Sequence, residues 1–512
     1  MNCKTWTRII ALIFFAALAG PAQLAAQGAT KQPHYKLVDL GTLGGPASYI
    51  SNDPSGDGAA SDILSPRGNV VGAADTSIPD PNCANPDCFV AHAFQSQNGL
   101  LSDLGALPGV NSSFANWVSS KGLVAGFSQN SAIDPLLGVP EINAVLWKDG
   151  EIVNLGTIEG GYESNAFAVN DRGQVAGVFL NTIPDPFSPF GLQVRAFLWQ
   201  KGVMEDLGTL GGPEASAYFM NEAGQIAGTS FINSIPNANT GVPTLDPFLW
   251  TNGKMIDLGT LGGTIGLPNA MNNRGQVVGE SNVVGDLTAH PFLWDGKKII
   301  DLGTFGGDSG QANWLNQAGD IVGSAFTSNS QVSLAFLWKD GVLSSLGTVR
   351  GDNCSNALGI NSKRQVVGVS AESCFFVTDQ RHAFLWENDQ MIDLNVFLPP
   401  NSDLQQLTDA YNINDRGEID GLGIPPGCGD EFSCGHVFEL IPCDESNGES
   451  NCRGGDDAVG VAQGETRHRP NVVVPENIRG MLRQRLGSRY HIPLQSPKRI
   501  IRRERQREGY EL

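Results

Sequence analysis

The sequence has few charged residues, and no long apolar run follows its N-terminal segment. Charged residues make up 17% of the 512 positions, whereas glycine and proline account for 63 and 29 of them. This composition argues against a helical chain and against a disordered one, and it favours a turn-rich β protein. Because no later stretch is apolar enough for a transmembrane helix, we predict no membrane span.

Motifs of common catalytic sites are also missing. The sequence contains neither a Gly-x-Ser-x-Gly nor a His-Glu-x-x-His pattern. Its recurring Gly-Thr-Leu-Gly-Gly segments lack the Lys-Ser/Thr pair of a phosphate loop and precede predicted strands rather than helices. We therefore predict no catalytic residue and no cofactor, although catalytic groups scattered over several repeats would leave no such motif.

The N-terminal segment has the features of a secretory signal. Lys4 and Arg8 precede the apolar run Ile9–Ala19, which is too short to span a bilayer, and Ala25-Ala26 provides small residues for cleavage. Cleavage after Ala19 is the alternative. Residues 1–26 are therefore predicted to be a signal peptide, and the mature protein is predicted to be secreted, either extracellular or periplasmic.

The cysteine count agrees with export. Cys3 belongs to the predicted signal, and the even number that remains favours disulfides in an oxidising compartment. Zinc is the alternative, but the spacings lack the C-x2-C knuckles and paired histidines of structural zinc sites. The pairs predicted from neighbouring positions are Cys83–Cys88, Cys354–Cys374, Cys428–Cys434 and Cys443–Cys452.

Eight copies of one short pattern run through the chain. Each copy has an Asp-Leu-Gly segment, a turn of the form Asn-x-x-Gly, and a strand of the form Phe-Leu-Trp, with several short apolar runs rich in Val, Ile, Phe and Trp. A period of 44 or more residues with four such runs is typical of a radial or stacked β array. The Asp-Leu-Gly segments start at Asp39, Asp103, Asn154, Asp206, Asp257, Asp301, Ser345 and Asp393.

Four strands per copy predict an eight-bladed β-propeller of antiparallel blades, over residues 35–442. The strand predicted at Tyr35–Leu40 has no Phe-Leu-Trp run before it, and the strand predicted at His436–Ile441 has no following partner in sequence. Pairing of these N- and C-terminal strands would complete the eighth blade and remove an open edge. A linear solenoid is the alternative, but it would need distinct polar caps.

An antiparallel meander places alternate connections on opposite faces. The Asp-Gly and Asn-x-x-Gly turns should therefore share one face, which we call the turn face. The Gly-Thr-Leu-Gly-Gly loops and the loops after each second strand should share the other, which we call the loop face. The second kind of loop varies from 11 residues (280–290) to 20 (73–92), so variation is concentrated on the loop face.

The repeats resemble those of the bacterial extracellular HAF-repeat family. The resemblance rests on His382-Ala-Phe-Leu-Trp386, Asp257-Leu-Gly-Thr-Leu-Gly-Gly263 and Asn272-Asn-Arg-Gly-Gln-Val-Val-Gly279, and it covers about residues 35–442. Copies one, two and eight are degraded. The resemblance implies an exported bacterial repeat protein, and it implies no catalytic residue.

Recurring polar residues are interpreted as structural. The slot that holds His92, His290, His382 and His436 holds Leu334 in another copy, which argues against a ring of metal ligands. The Asp of Asp-Leu-Gly and the Asn of Asn-x-x-Gly are predicted to accept backbone N–H bonds in their turns. Asp53, Ser55 and Asp57 alternate as in a calcium loop. They stay weak metal candidates, because Leu64 stands where such a loop has Glu.

The C-terminal part differs from the repeats. Residues 443–475 are predicted to be a disulfide-bearing linker, and residues 476–512 a basic tail that begins with the amphipathic helical pattern 476–489. Three interpretations remain: the tail docks on the acidic propeller, binds an anionic surface, or is a flexible solvated end.

The variable loops lead to a hypothesis of function. We predict an exported non-catalytic protein that binds a glycan or a surface protein through loops such as Ile78-Pro-Asp-Pro81 and Ile183-Pro-Asp-Pro186. The alternatives are an extracellular polysaccharide hydrolase or lyase and a structural envelope component. No nucleic-acid partner is expected.

Overall fold

The computed structural model describes the repeat region and little else. The described residues are 33–50, 62–81, 88–135, 138, 140–158, 160–188, 190–328, 330–374, 381–428, 431–443 and 453–454. The predicted signal, the calcium-loop candidates and nearly all of the predicted linker and tail lie outside these ranges. The described part of the chain contains no helix with the length and apolarity needed to cross a bilayer.

The described chain is almost entirely β-structure, and its strands follow one another as the repeat predicts. The first is β1 (His34–Asp39). The strands of groups 1 and 2 are β2 (Gly44–Tyr49), β3 (Val70–Pro79), β4 (Phe89–Gln97), β5 (Leu100–Gly105), β6 (Ser113–Val118), β7 (Val124–Ile133), β8 (Pro140–Lys148) and β9 (Glu151–Gly156). The strands of groups 3 and 4 are β10 (Ser164–Val169), β11 (Val175–Pro184), β12 (Leu192–Gln200), β13 (Val203–Asp206), β14 (Ala215–Met220), β15 (Ile226–Phe231), β16 (Leu245–Thr251) and β17 (Lys254–Asp257).

The second half of the repeat region continues the same order. The strands of groups 5 and 6 are β18 (Gly262–Met271), β19 (Val277–Val283), β20 (Ala289–Trp294), β21 (Ile299–Asp301), β22 (Gly306–Leu315), β23 (Ile321–Thr327), β24 (Ser333–Lys339) and β25 (Val342–Gly347). The remaining elements are β26 (Cys354–Ile360), β27 (Val366–Ala371), β28 (Arg381–Glu387), β29 (Gln390–Asp393), a 3-10 turn (Leu394–Phe397), β30 (Gln406–Ile413), β31 (Ile419–Ile424), the short helix α1 (Glu431–Cys434), β32 (His436–Pro442) and β33 (Arg453–Gly454).

These strands form seven sheets, mostly of four antiparallel strands, and the arrangement is consistent with the predicted β-propeller. Five sheets have four strands, and one has eight because a single parallel bridge, Leu245 to Ile265, joins groups 4 and 5. The last sheet has the order β30-β31-β32-β1-β33. In it the first strand pairs antiparallel with β32, from Tyr35 opposite Pro442 to Asp39 opposite Phe438. Strand β33 adds to the outer side of β1, which the sequence did not predict.

The repeated residues form the core in a fixed register. The Phe of the Phe-Leu-Trp strand is fully buried in group after group. It faces the Gly near the start of the second strand, as Phe248 faces Gly228. A Cβ at Gly228 would lie 1.9 Å from the carbonyl oxygen of Ser216 and 2.9 Å from the ring of Phe248, so only glycine fits there. The buried Phe and Leu of this strand lie on opposite faces, as expected for sheets covered on both sides.

The turn face is built from the two predicted kinds of tight turn. In the hairpins that join the third and fourth strands, apart from the one at Asp295-Gly296, both central residues have positive φ, for example 51° at Asn252 and 75° at Gly253. This conformation matches the twist of the flanking strands and favours Asn-Gly and Asp-Gly pairs. In the Asn-x-x-Gly turns, the Asn221 side chain accepts hydrogen bonds from the backbone N–H groups of Ala223 and Gln225, as predicted.

The same asparagines also link one group to the next. The side-chain amide of Asn221 donates to the carbonyl oxygen of Asn272 in the next group at 3.3 Å. The equivalent bond joins each pair of consecutive groups from group 3 to group 8. The last of the series runs from Asn414 to the carbonyl oxygen of Ser65 in group 1, at 3.2 Å. The other members are Asn170 to Asn221, Asn272 to Asn316, Asn316 to Asn361 and Asn361 to Asn414.

Candidate functional site

The recurring histidines are partners of the recurring aspartates. Nδ1 of His92 lies 2.9 Å from a carboxylate oxygen of Asp103, and His290 and Asp301 repeat the pair at the same distance. His436 pairs in the same way with Asp39, across the two ends of the repeat region. In group 3 the slot holds Arg195, which pairs with Asp206 at 3.0 Å. Each pair ties the third strand to the fourth, which supports the structural interpretation of these residues.

The aspartates of Asp-Leu-Gly also close their own turns, as the sequence predicts. Oδ1 of Asp206 accepts a hydrogen bond from the backbone N–H of Gly208 at 2.8 Å, and Ser345 replaces it with a hydroxyl that accepts from Gly347. His382 departs from the pattern, because its Nδ1 contacts Asp352 at 2.9 Å. That hydrogen bond raises the pKa of His382.

Group 4 lacks a cation at this slot. Asp246 lies against Asp257, and burial together with the repulsion from Asp257 raises the pKa of Asp246 to about 7. A carboxyl whose pKa rises on folding loses its stabilising contribution as the pH rises from about 4 through about 7.

The substitution Asp246→His copies the His290–Asp301 pair. It should raise the midpoint of thermal unfolding at pH 7 by roughly 2 °C and have no such benefit at pH 4.

The matched control is Leu334→His, which places the same ring at the same slot, where the residue eleven positions later is Ser345 instead of an aspartate. No gain is expected there, because the partner carries no charge. Thermal unfolding followed by circular dichroism at both pH values compares the two variants. If both variants raise the unfolding midpoint equally, the effect comes from the histidine itself, which would contradict the carboxyl-pair explanation.

The predicted disulfides are present where both cysteines are described. Cys354 is bonded to Cys374, with Cα atoms 5.1 Å apart, and Cys428 is bonded to Cys434. The first bond joins the first residue of β26 to the loop that follows β27. Cys88 and Cys443 are also disulfide-bonded. The partners predicted for them, Cys83 and Cys452, lie outside the described residues.

The calcium-loop candidates predicted from the sequence are not among the described residues. These are Asp53, Ser55 and Asp57. Within the described ranges, no group of three or more His, Cys, Asp or Glu side chains is arranged to hold a metal ion.

The loop face carries a row of exposed aliphatic side chains. Four isoleucines lie at the ends of the second strands of three groups and just after that of the fourth, and each is between 47% and 74% exposed. Isolated exposed apolar residues are ordinary, but here the same residue type is exposed at the corresponding place of four consecutive groups. The next group continues the row with Val284 and Leu287, which are more exposed still. We call Ile78, Ile133, Ile183 and Ile235 the isoleucine arc.

Local turns hold the arc in place. The Asn181 side chain accepts a hydrogen bond from the backbone N–H of Ile183 at 2.9 Å, and Asn233 does the same for Ile235 at 2.7 Å. In group 1 the hydroxyl of Thr76 accepts from the N–H of Ile78 at 3.2 Å. Such turns fix the backbone, so presenting these side chains costs little additional ordering when a partner binds.

Buried carboxyl pairs connect the arc loops to the following groups. Glu163 accepts a hydrogen bond from the backbone N–H of Ile142 at 2.8 Å and lies against Asp134 of the group 2 loop. Burial, with the repulsion of Asp134, raises the pKa of Glu163 to about 8. At neutral pH this carboxyl is therefore protonated, and the loop is fastened without a second negative charge.

The same device recurs one group later. Glu214 accepts from the N–H of Val194 at 3.2 Å and lies against Asp185 and Ser188. Burial and Asp185 raise the pKa of Glu214 to about 8. Phe187 of this loop also packs edge-on against Phe231 of the next group, with ring centroids 6.3 Å apart. The arc loops are thus attached to neighbouring groups as well as to their own strands.

Charge is divided unequally between the two faces. On the turn face, cations and carboxyls occur in similar numbers. The cations are Arg67, Lys121, Lys148, Arg172, Lys201, Lys254, Arg274, Lys297, Lys298, Lys339, Lys363, Arg364 and Arg416. The carboxyls are Asp149, Glu151, Asp171, Glu222, Asp295, Asp320, Asp340, Glu387, Asp389, Asp415 and Glu418. Among the described residues of the loop face the cations are Arg195, Arg350 and Arg381, and the first and last of these are ion-paired. The carboxyls of the loop face are Asp39, Asp75, Asp80, Asp103, Asp134, Glu141, Glu163, Asp185, Asp206, Glu214, Asp246, Asp257, Asp286, Asp301, Asp308, Asp352, Glu372, Asp393 and Asp403.

The loop face therefore combines exposed aliphatic side chains with an excess of carboxyls. Sequence reasoning identified the variable loops but missed the arc. The signal was available in the repeated Ile-Pro-Asp and Ile-Asp-Pro phrases that follow three successive second strands. The pairing of the histidine slot with the aspartate eleven residues later was missed as well.

Comparisons with known proteins identify no family. No protein-family description matches the chain, and no curated protein matches it. Among solved structures, it is similar to the β-propeller domain of the Trilobed protease from Pyrococcus furiosus, at 10% identity and a TM-score of 0.40, over 70% of this chain and 99% of that one. It is also similar to dipeptidyl peptidase 4 from Porphyromonas gingivalis, at 11% identity and a TM-score of 0.41, over 74% of this chain and 59% of that one.

Proposed function

We propose that this protein is an exported binding protein, and that its loop face binds a protein segment rich in cationic and aliphatic side chains. The observation that carries the proposal is the isoleucine arc, four exposed isoleucines at neighbouring positions on an acidic face. Aliphatic contacts supply the hydrophobic part of binding, and carboxyls select and attract a positively charged partner.

The character of the exposed residues favours a protein over a glycan. Sugars pack their C–H faces on the flat rings of aromatic side chains. The large apolar side chains exposed in the described ranges are Ile, Leu and Val, without an aromatic residue among them. Clustered aliphatic side chains instead match an apolar stripe of a peptide or helix.

The scaffold proposed for this surface is a closed eight-bladed propeller. Eight four-strand groups follow one another, and the eighth is completed by β1, which is the first described strand. The hydrogen bond from Asn414 to Ser65 supports closure, because it joins group 8 to group 1 with the same donor used between groups 3 and 8. Closure would keep the arc on one rigid surface.

Membership of the HAF-repeat family and export are parts of the same proposal. The repeat phrases carry the family resemblance, and the two disulfides support an oxidising compartment outside the cytoplasm. The proposed role is non-catalytic, with loops as the variable part and strands as the support.

A peptide selection on the purified mature chain, residues 27–512, tests the binding proposal. A displayed random peptide library should be enriched in sequences that combine Lys or Arg with Leu, Ile or Met. The double variant Ile183→Ser/Ile235→Ser should bind the selected peptides about thirty-fold more weakly, because each of the two lost aliphatic contacts is worth about 1 kcal/mol. Fluorescence anisotropy of labelled peptides measures the change.

The control is Val203→Ser/Val342→Ser, which removes equally exposed aliphatic side chains that adjoin the turn face. Its peptide affinity should equal that of the unchanged protein. Enrichment without positive charge, or an equal loss in both double variants, would refute the proposed surface. Release of products from a polysaccharide or a peptide by the purified protein would refute the non-catalytic role.

A further inference from the structure

The chain contains a segment with the chemistry that the loop face should bind. Residues 465–512 have 12 Lys and Arg against 5 Glu, a net charge of +7 that leaves −27 on residues 1–464. Ile478, Met481, Leu482 and Leu486 recur at the spacing of one helical face within 476–489. Arginines alternate with this stripe, so the segment is both cationic and aliphatic.

The described chain ends close to the turn face. Gly454 pairs with His34 at the start of β1, and the next residue of that strand, Tyr35, donates its hydroxyl proton to the carbonyl oxygen of Gly417 in an Asn-x-x-Gly turn. The tail therefore departs from the side of the sheets opposite the arc. A strand of six to ten residues spans about 20–33 Å, and residues 455–475 can extend over about 70 Å. The linker 455–475 is thus long enough for the segment 476–489 to reach the loop face.

Electrostatics separates the two faces as docking sites for this segment. The turn face carries carboxyls such as Asp171, Glu222 and Asp415 beside its lysines and arginines, so its charges largely cancel and it attracts a cationic segment only weakly. The loop face has few cations and exposed carboxyls such as Asp257 and Asp308, so it attracts the arginines, and its exposed isoleucines accept the aliphatic stripe. Tethering raises the effective concentration of the segment at that surface to the millimolar range, so a weak contact suffices.

We propose that residues 476–489 dock on the isoleucine arc of the same chain and cap the binding surface. The inference rests on the proposed function, because it names the chain's own tail as the resident occupant of that surface. An external partner must displace the tail, so partner binding is regulated by whatever releases it.

Limited trypsin digestion of the full mature chain tests the docking. Arg479, Arg483, Arg485 and Arg489 are cleavage sites within the segment, and a docked backbone is cut slowly. At low salt, trypsin should cut the peptide bonds after these arginines about ten-fold faster in the variant Ile183→Ser/Ile235→Ser than in the unchanged chain. Raising the salt to about 0.5 M should speed cleavage in the unchanged chain by screening the charges.

The control Val203→Ser/Val342→Ser should retain the slow cleavage. A tail cleaved as fast in the unchanged chain as in the arc variant would overturn the inference. So would a tail that is protected only when anionic phosphatidylserine vesicles are added, because that result assigns the segment to an anionic surface.

The tail variant Met481→Glu/Leu482→Glu separates this inference from the proposed function. Releasing the tail should strengthen binding of a selected peptide about ten-fold. A protected tail with no peptide bound by any variant would support docking and remove the proposed function. Peptide binding that the tail variant leaves unchanged would support the function and overturn the inference.

Discussion

Deletion of residues 33–40 from the mature chain is expected to lower the midpoint of thermal unfolding by roughly 10 °C. These residues form β1, which pairs with β32 over five residues. Tyr35 is buried, and its ring packs against Phe397 with centroids 5.0 Å apart. The deletion removes about 5 kcal/mol of apolar burial and leaves the edge of β32 unpaired.

Differential scanning calorimetry measures the effect, and a synthetic peptide of residues 33–42 provides the complement. Added in excess, it should restore part of the lost stability by replacing the missing strand. The control is Tyr35→Phe, which removes only the hydrogen bond to Gly417 and should cost about 1 kcal/mol. An unchanged midpoint in the deleted chain would rule out closure through the two chain ends.

The second large effect is expected at a buried carboxyl pair in group 8. Asp420 and Glu439 face each other across β31 and β32, where group 7 has Val367 opposite Leu385. Both acids are fully buried, and one oxygen of each has no hydrogen-bond partner among the described residues. Burial, with the repulsion of Glu418, raises the pKa of Glu439 to about 7. Burial also raises the pKa of Asp420 well above its ordinary value, with Glu439 adding to the shift.

Both groups bind a proton in the folded protein at a pH at which the unfolded chain has released it. The contribution of Glu439 is therefore complete below about pH 4 and is lost as the pH rises through about 7, and that of Asp420 changes in the same direction. For Glu439 alone the loss is about 3 kcal/mol, from the difference between its ordinary and folded pKa values. The protein should be more stable at pH 5 than at pH 8.

The double variant Asp420→Asn/Glu439→Gln has the shape of the protonated pair and cannot ionise. In the unchanged protein Asp420 accepts a hydrogen bond from the backbone N–H of Asn412, and the amide oxygen of Asn at position 420 can accept the same bond. The variant should raise the unfolding midpoint at pH 8 by roughly 5 °C and reduce the difference between pH 5 and pH 8. The exposed Asp308→Asn change is the control for charge alone. A lower midpoint at pH 8 in the double variant would contradict the protonated-pair explanation.

Much of the architecture was predictable because the repeat encodes it locally. The glycine opposite the buried Phe, the hairpins between the third and fourth strands and the Asn-x-x-Gly turns recur in one copy after another. Their register follows from the alternation of side chains along a strand. The pairing of β1 with β32 was expected because each end of the repeat region lacks one strand.

Contacts between groups were not predictable in the same way. The sequence predicts the turn in which Asn221 accepts backbone hydrogen bonds, but it gives no distance to the carbonyl of Asn272, 51 residues later. The pair of Asp134 and Glu163 depends on a loop whose length differs from group to group. The pair of His290 and Asp301 was within reach, because the same eleven-residue spacing links Arg195 to Asp206.

The amide hydrogen bonds between groups give the repeat region a direction. Each asparagine donates to the carbonyl of the group that follows it, and Asn414 donates onward to Ser65. Each unit from group 3 to group 8 thus has a donor side and an acceptor side, so neighbouring units fit together in one orientation only. Groups 1 and 2 have Ser65 and Ser119 where the others have this asparagine, so the directional series begins at Asn170. Because the donors all lie in the Asn-x-x-Gly turns, the loops at the other face can change in length without breaking the series.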